Sequence, residues 1–207
     1  MKLFIVSSGV CLFAAALVNA QETPKFTFNI GAGFTRPTGG TYDHLDTGWN
    51  IQAGAGYNFS SHVGANVDVA YNDLGITSAD LSRIGVPGGS VHIFSATLDP
   101  IVHLNPHGHI DFYLTGGGGL FHWYQEFTRP AVAIAPGFDP FFGFYSAAVP
   151  ATQVLSSYSV NRPGIDVGAG VAVGAWKGKL FAEAKYDHIY MKGSHADYIP
   201  VTFGFRW

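Results

Sequence analysis

Ile199-Pro200-Val201-Thr202-Phe203-Gly204-Phe205-Arg206-Trp207 closes the sequence with a period of two: Ile199, Val201, Phe203, Phe205 and Trp207 share one face, and Pro200, Thr202, Gly204 and Arg206 share the other. Side chains of a strand point alternately to opposite sides, so this stretch is a strand whose faces meet different surroundings. A soluble sandwich hides its aromatics and exposes its charges. A membrane-spanning barrel turns the apolar row to lipid and the polar row to its lumen. The nine residues alone fit either.

The other end of the chain separates the two. Met1-Lys2, an apolar run over residues 3–18, and Val18-Asn19-Ala20 before Gln21 have the charged start, apolar centre and small-residue exit of a secretory signal peptide. Residues 1–20 are therefore read as a leader, and residues 21–207 as one domain. A permanent helix is the alternative, but Ser7, Ser8 and Gly9 interrupt a run already short of the ~20 apolar residues a span needs. The one cysteine, Cys11, falls in the leader, which leaves the mature chain without a disulfide, a thiolate nucleophile or a cysteine-held metal.

Charged residues make up only 12% of the chain, and aromatics at 15% outnumber them, which excludes a disordered polyelectrolyte. Setting Lys2 aside leaves 10 basic against 14 acidic residues, a net of −4 with no basic run. Phosphate backbones require clustered Lys and Arg, so a nucleic-acid partner is not expected.

Seven earlier segments alternate like the last. Phe26, Phe28, Ile30, Ala32 and Phe34 oppose Thr27, Asn29, Gly31 and Gly33; Trp49, Ile51, Ala53, Ala55 and Tyr57 oppose Asn50, Gln52, Gly54 and Gly56. Residues 63–72, 94–103, 112–115, 165–174 and 180–187 follow suit, although the phase is lost in the glycine run 116–119, where a bulge or a close strand approach is expected. Connections alternate too: short at 60–61, 105–109 and 177–178, long at 37–47, 73–89, 125–161 and 191–197. Tight turns at one end and long loops at the other describe an up-and-down barrel. Aromatics gather at two depths, with Phe26, Phe28, Tyr57, Phe59, Phe112, Trp176, Phe205 and Trp207 near the short turns and Phe34, Trp49, Tyr71, Tyr190 and Tyr198 near the long loops. Two such girdles are expected where amphipathic rings sit at headgroup level.

With the leader, eight alternating segments and an aromatic last residue, the chain resembles the small eight-stranded outer-membrane proteins, the OmpA-type barrel and its OmpX/Ail-like relatives. The resemblance implies that the barrel assembly machinery reads the terminal strand through Val201, Phe203, Phe205 and Trp207. It departs from the family pattern in closing on Trp where Phe is usual, and a peptidoglycan-binding domain after the barrel is not expected.

Inward positions carry Asp68, Asp111, Asp166, Glu183, Lys185, Asp187 and Arg206, expected to form a polar network that plugs the lumen, with Glu183 paired to Arg206. On the lipid face a Lys or Arg would cost about 2–4 kcal/mol at mid-depth. His107 and His109 could hold a metal only with a third ligand such as His103, and their segment reads more simply as a turn, so no metal or other cofactor is expected. His188, Ser194 and His195 lack the His-x-Ser arrangement that resemblance to lipid A deacylases would lead one to expect. The connection 125–161 is the candidate for activity: Phe127, Phe138, Phe141, Phe142, Phe144 and Tyr145 stand among Pro130, Pro136, Pro140 and Pro150. Long structureless loops are often functional. Equally, residues 131–135 and 154–160 could extend the two strands beyond the membrane.

The expected protein is all-β, an eight-stranded antiparallel up-and-down transmembrane β-barrel in a Gram-negative outer membrane. It is non-enzymatic, has an envelope role in contact with outer-membrane lipid, and offers surface loops, 125–161 above all, to an extracellular partner for adhesion or recognition. Two alternatives stay open at this point: an outer-membrane lipid-modifying enzyme, and a secreted lipocalin-like binder of a small apolar ligand.

Overall fold

Period-two segments become strands that close on one another: β1 (Phe26–Thr38), β2 (Gly48–Asn58), β3 (Val63–Gly75), β4 (Gly88–His103), β5 (Ile110–Asp139), β6 (Gly143–Ala175), β7 (Gly178–Tyr190) and β8 (His195–Arg206). The computed structural model describes residues 24–175 and 177–207. The leader and Trp176 lie outside the described residues. Each strand pairs antiparallel with the next, and β8 returns to β1, so the barrel wall has no open edge. The closing register sets Ile30 beside Phe205, Ala32 beside Phe203 and Phe34 beside Val201, all on the outer wall.

The wall has the expected bands. Phe26, Phe28, Tyr57, Phe59, Phe112 and Trp207 are exposed at the short-turn end, and Phe34, Trp49 and Tyr190 at the other, with exposed Ile30, Val67, Val69, Leu98, Leu114 and Val167 between them. Cross-strand ring pairs brace both girdles: Phe26 with Tyr57 at 5.2 Å, and Trp49 with Tyr71 at 5.3 Å.

Three expectations are corrected and one, for the glycine run, is narrowed. Tyr198 is fully buried and points inward, because Ile199 sets the outward parity of β8 and its neighbour must take the other face. The glycine run 116–119 contains no bulge: β5 keeps one register with β4 from Thr115 to Gly119, and the phase runs unbroken from Tyr113 to Phe121. Close approach does hold there, since a Cβ on Gly117 or Gly119 would overlap the carbonyl oxygens of Leu98 and Ala96. The β7–β8 connection is not long but only residues 191–194. Glu183 and Arg206 are not partners, because the β7–β8 register sets Glu183 against Thr202 and Arg206 against Lys179. Four strand positions, about 13 Å, separate the two levels.

The interior is layered. At its centre the Lys185 ammonium lies 2.5 Å from Asp99, 3.2 Å from Asp68 and 3.9 Å from Glu183. Neutral donors complete these carboxylates: Asn29 to Asp68 (3.2 Å), Thr97 to Asp99 (2.9 Å) and Gln52 to Glu183 (3.4 Å). Beside it Thr35 donates to Asn72, Asn50 to Thr35 and Thr202 to Asn50, a chain of neutral groups joining four strands. Toward the short turns the Arg206 guanidinium stacks over the Tyr113 ring at 4.7 Å and the Phe181 ring at 5.3 Å, within a buried cluster that includes Ile101 and Ala172. Below that, Asp111 accepts from Lys179 (3.1 Å) and faces His103 (2.7 Å).

Toward the long-loop end the polar lumen stops. Leu74, Val91, Ile93, Phe121, Ile189 and Tyr198 meet in a buried apolar plug, where a wholly polar lumen was expected. Loops seal this mouth, so its inward side chains meet one another instead of water. With this plug above and the Tyr113–Phe181 layer below, the charged centre is closed from both sides among the described residues. Reconstituted into planar bilayers, the protein is expected to leave conductance at the lipid baseline; steady ohmic channels would contradict the layering.

Asp166 stands opposite Asp187 on β7, and neither of its carboxylate oxygens finds a hydrogen-bond partner. The two sides of the network therefore differ in their response to mutation. Lys185→Met strips one cation from three carboxylates and is expected to cost about 3–5 kcal/mol in reversible urea unfolding from lipid vesicles. Asp166→Asn removes a buried carboxyl that has no hydrogen-bond partner and is expected to leave stability unchanged or raise it. A D166N cost matching that of K185M would show that Asp166 has a buried partner.

Candidate functional site

Three outer connections converge on the barrel mouth. The β1–β2 loop is tied to the end of β3 by a bridge between Leu45 and Ile76, and Thr41 accepts the backbone N–H of Asp197 at 2.9 Å. Between β3 and β4 the chain forms a short helix, α1 (Ser78–Ile84), ended by Gly85 in the left-handed conformation (φ 70°). Asp80 in its first turn contacts His44 at 2.5 Å and Arg83 at 3.3 Å, joining helix to loop. Together with β7–β8 these segments wall a cup of about 940 Å³ whose floor is the outer side of the apolar plug.

The fourth outer connection does not form a loop. Where a long loop 125–161 was one expectation, β5 and β6 stay paired from Ile110–Val173 to Asp139–Gly143, and only residues 140–142 turn. β4 ends at Gly88, opposite Thr128, so beyond that pair the two strands leave the barrel as a free ribbon. A register shift between Phe127 and Thr128 marks the departure. Residues 128–139 carry the ribbon about 40 Å outward at ~3.3 Å per residue.

Both ribbon faces meet water, so nothing in its environment enforces an inside and an outside. Prolines sit in it without breaking the ladder: Pro130 pairs with Thr152, Pro136 with Ser146 and Pro150 with Val132. All three occupy the same alternate set of pairs, the set that exchanges no N–H bonds across the ladder, so the missing donors face the free edges. The tip is held in shape. Asp139 accepts the backbone N–H groups of Phe141 (2.8 Å) and Phe142 (3.1 Å), Gly143 closes the turn at φ 76°, and the Phe138 and Phe144 rings pack at 5.1 Å. Phe141, Phe142 and Phe144 are 91%, 89% and 88% exposed.

Of the other residues singled out by sequence, His103 is committed to Asp111 and His107 faces His62 at 6.3 Å, so the proposed third ligand is turned away from the other two. Among the described residues no three His, Cys, Asp or Glu side chains are placed to hold a metal ion together. His188 contacts Asp197 at 2.6 Å and His195 contacts its other oxygen at 3.3 Å. That is a base with an orienting carboxylate, and no hydroxyl among the described residues is hydrogen-bonded to either imidazole. Val201, Phe203, Phe205 and Trp207 all lie on the outer wall of β8. Sequence reading missed Asp99 as the nearest partner of Lys185, although its inward parity on β4 was visible. It also missed Arg162, whose phase is carried by β6 across the gap between loop and strand.

No curated protein is similar enough in sequence to be matched. Among solved structures, neisserial surface protein A shares the fold at a TM-score of 0.56 with 15% identity, over 90% of this chain and 98% of that one. Ail of Yersinia pestis in complex with the heparin analogue sucrose octasulfate aligns at 0.48 with 19% identity, over 88% and 97% of the two chains. The N-terminal barrel domain of Pseudomonas aeruginosa OprF aligns at 0.44 with 16% identity, over 90% and 100%. The model of the outer membrane protein beta-barrel domain matches residues 3–206, all but the ends of the sequence. With its lipid-facing wall, its two girdles and its closed eight-stranded sheet, the chain belongs to that family and resides in the outer membrane.

Proposed function

We propose that this barrel is a non-enzymatic outer-membrane protein that uses the β5–β6 ribbon as an adhesive arm, with its aromatic tip as the contact. The observation that carries this reading is the tip itself: Phe138, Phe141, Phe142 and Phe144 exposed on a turn already fixed by Asp139. Apolar area of this size left in water is a standing gain for any surface that covers it. Because the turn is preorganised, little ordering entropy opposes contact. From Pro130 to Pro150 the only charged residue is Asp139. The arm therefore suits an apolar surface on a neighbouring or host cell, and its binding should change little with salt.

Replacing residues 130–152 by Asn-Gly joins Arg129 and Gln153, a pair of the hydrogen-bonded set, through a two-residue turn and leaves the barrel intact. Cells displaying this variant are expected to lose adherence to hydrophobic surfaces and host cells down to the level of cells lacking the protein. Phe138, Phe141, Phe142 and Phe144 changed together to Ser should reproduce the loss with the ribbon still present. Adherence that survives both changes would reject the reading.

A further inference from the structure

The cup between the outer loops joins an apolar floor to charged groups on its walls. Its floor presents Leu45, Ile76, Val91, Trp123, Phe127 and Val160, the outer side of the plug and its neighbours. A concave apolar floor of this kind favours a ligand with apolar surface of its own, and the cup's volume falls within the roughly 300–1,000 Å³ of small-molecule sites. Its charge is one-sided. Arg83, Arg162 and Lys192 line it against the single carboxylate of Asp80, which is already engaged by His44 and Arg83.

Arg162 is the decisive group. It stands opposite Phe121 at the level of the floor, and its Nε is buried without a hydrogen-bond partner. No carboxylate among the described residues forms an ion pair with it. A buried guanidinium donor left open is costly unless a ligand supplies the acceptor, and the planar fork matches the paired oxygens of a carboxylate or phosphate. Apolar floor and open guanidinium sit within one cavity, so they select a molecule that carries both complements.

We propose that the cup binds a single-chain amphipathic anion, its alkyl chain against the plug and its carboxylate or phosphate head on Arg162. Lys192 at the rim adds positive potential around the head once the chain is seated. The plug beneath is continuous, so the ligand is retained at the surface and does not pass through the barrel. A free fatty acid and an anionic lysolipid from the surrounding membrane present the same chemistry.

The test uses the full barrel in phosphatidylcholine nanodiscs, with the Arg162 Nε–H and Trp123 indole N–H signals followed by NMR. Dodecanoate is expected to give a saturable shift of both signals, dodecanol to bind at least tenfold more weakly, and acetate to leave them in place. Doping the disc with lysophosphatidic acid tests the membrane source: a shift there and none with dodecanoate assigns the site to a lipid headgroup, and the reverse assigns it to a free acid. Arg162→Met, read at Trp123, should weaken dodecanoate at least tenfold, with Arg162→Lys falling between. The proposal is overturned if dodecanol matches dodecanoate, if acetate alone saturates the signals, if Arg162→Met retains wild-type affinity, or if neither anion binds. The ligand panel on the unmutated protein decides the matter even where a variant does not fold.

Discussion

Hydrocarbon offers no hydrogen-bond partner to a peptide group, and closure of β8 onto β1 answers that constraint for the whole wall. Once the ladder is cyclic, every strand has one face in lipid and one in the lumen, and the rest of the spanning structure follows from that division. The outer face can be apolar without penalty. The inner face can hold charge only where partners converge, and eight strands bring them close enough to do so. Lys185 on β7 reaches Asp68 on β3 and Asp99 on β4, side chains far apart in sequence that only a narrow closed barrel brings together.

The same division explains what could be read from the chain and what could not. Where two solvents differ, parity carries the information, and the outward rows of β1, β2, β3, β7 and β8 were all legible from sequence. Gly117 and Gly119 hid the phase because a residue with no side chain takes no side, although backbone crowding against Leu98 and Ala96 is what requires them. Glu183 and Arg206 share a face but not a level, since parity reports direction and not register, which hairpin geometry sets. Tyr198 was misplaced for a simpler reason: an aromatic near a membrane boundary was assigned by depth when its parity already sent it inward.

Beyond the membrane the contrast between faces disappears, and with it the code. The ribbon has water on both sides, so Val132 and Ile134 are exposed together with their neighbours, and only the pairing of β5 with β6 shows that the segment is ordered. At the mouth the difficulty is the opposite one. Val91, Ile93 and Phe121 lie on lumen-facing parity yet are apolar, because the loops above shield them and make this end of the lumen a protein core. A reading that equates inward with polar fails there for a physical reason, and the failure marks where the barrel ceases to be a membrane wall and becomes a platform for the cup.

A free two-stranded ribbon carries a hazard that the barrel avoids, since both of its edges offer unpaired amide groups to any passing strand. Pro130, Pro136 and Pro150 bear on this directly. Each lies in the set of pairs whose backbone nitrogens face outward, so each deletes a donor from a free edge while the ladder between β5 and β6 is kept. Edge-to-edge addition is thereby disfavoured along the shaft, and the exposed apolar area is concentrated at a tip whose backbone donors are occupied by Asp139. The adhesive contact proposed for this arm is accordingly one made by the side chains of its end and not by strand addition along its length.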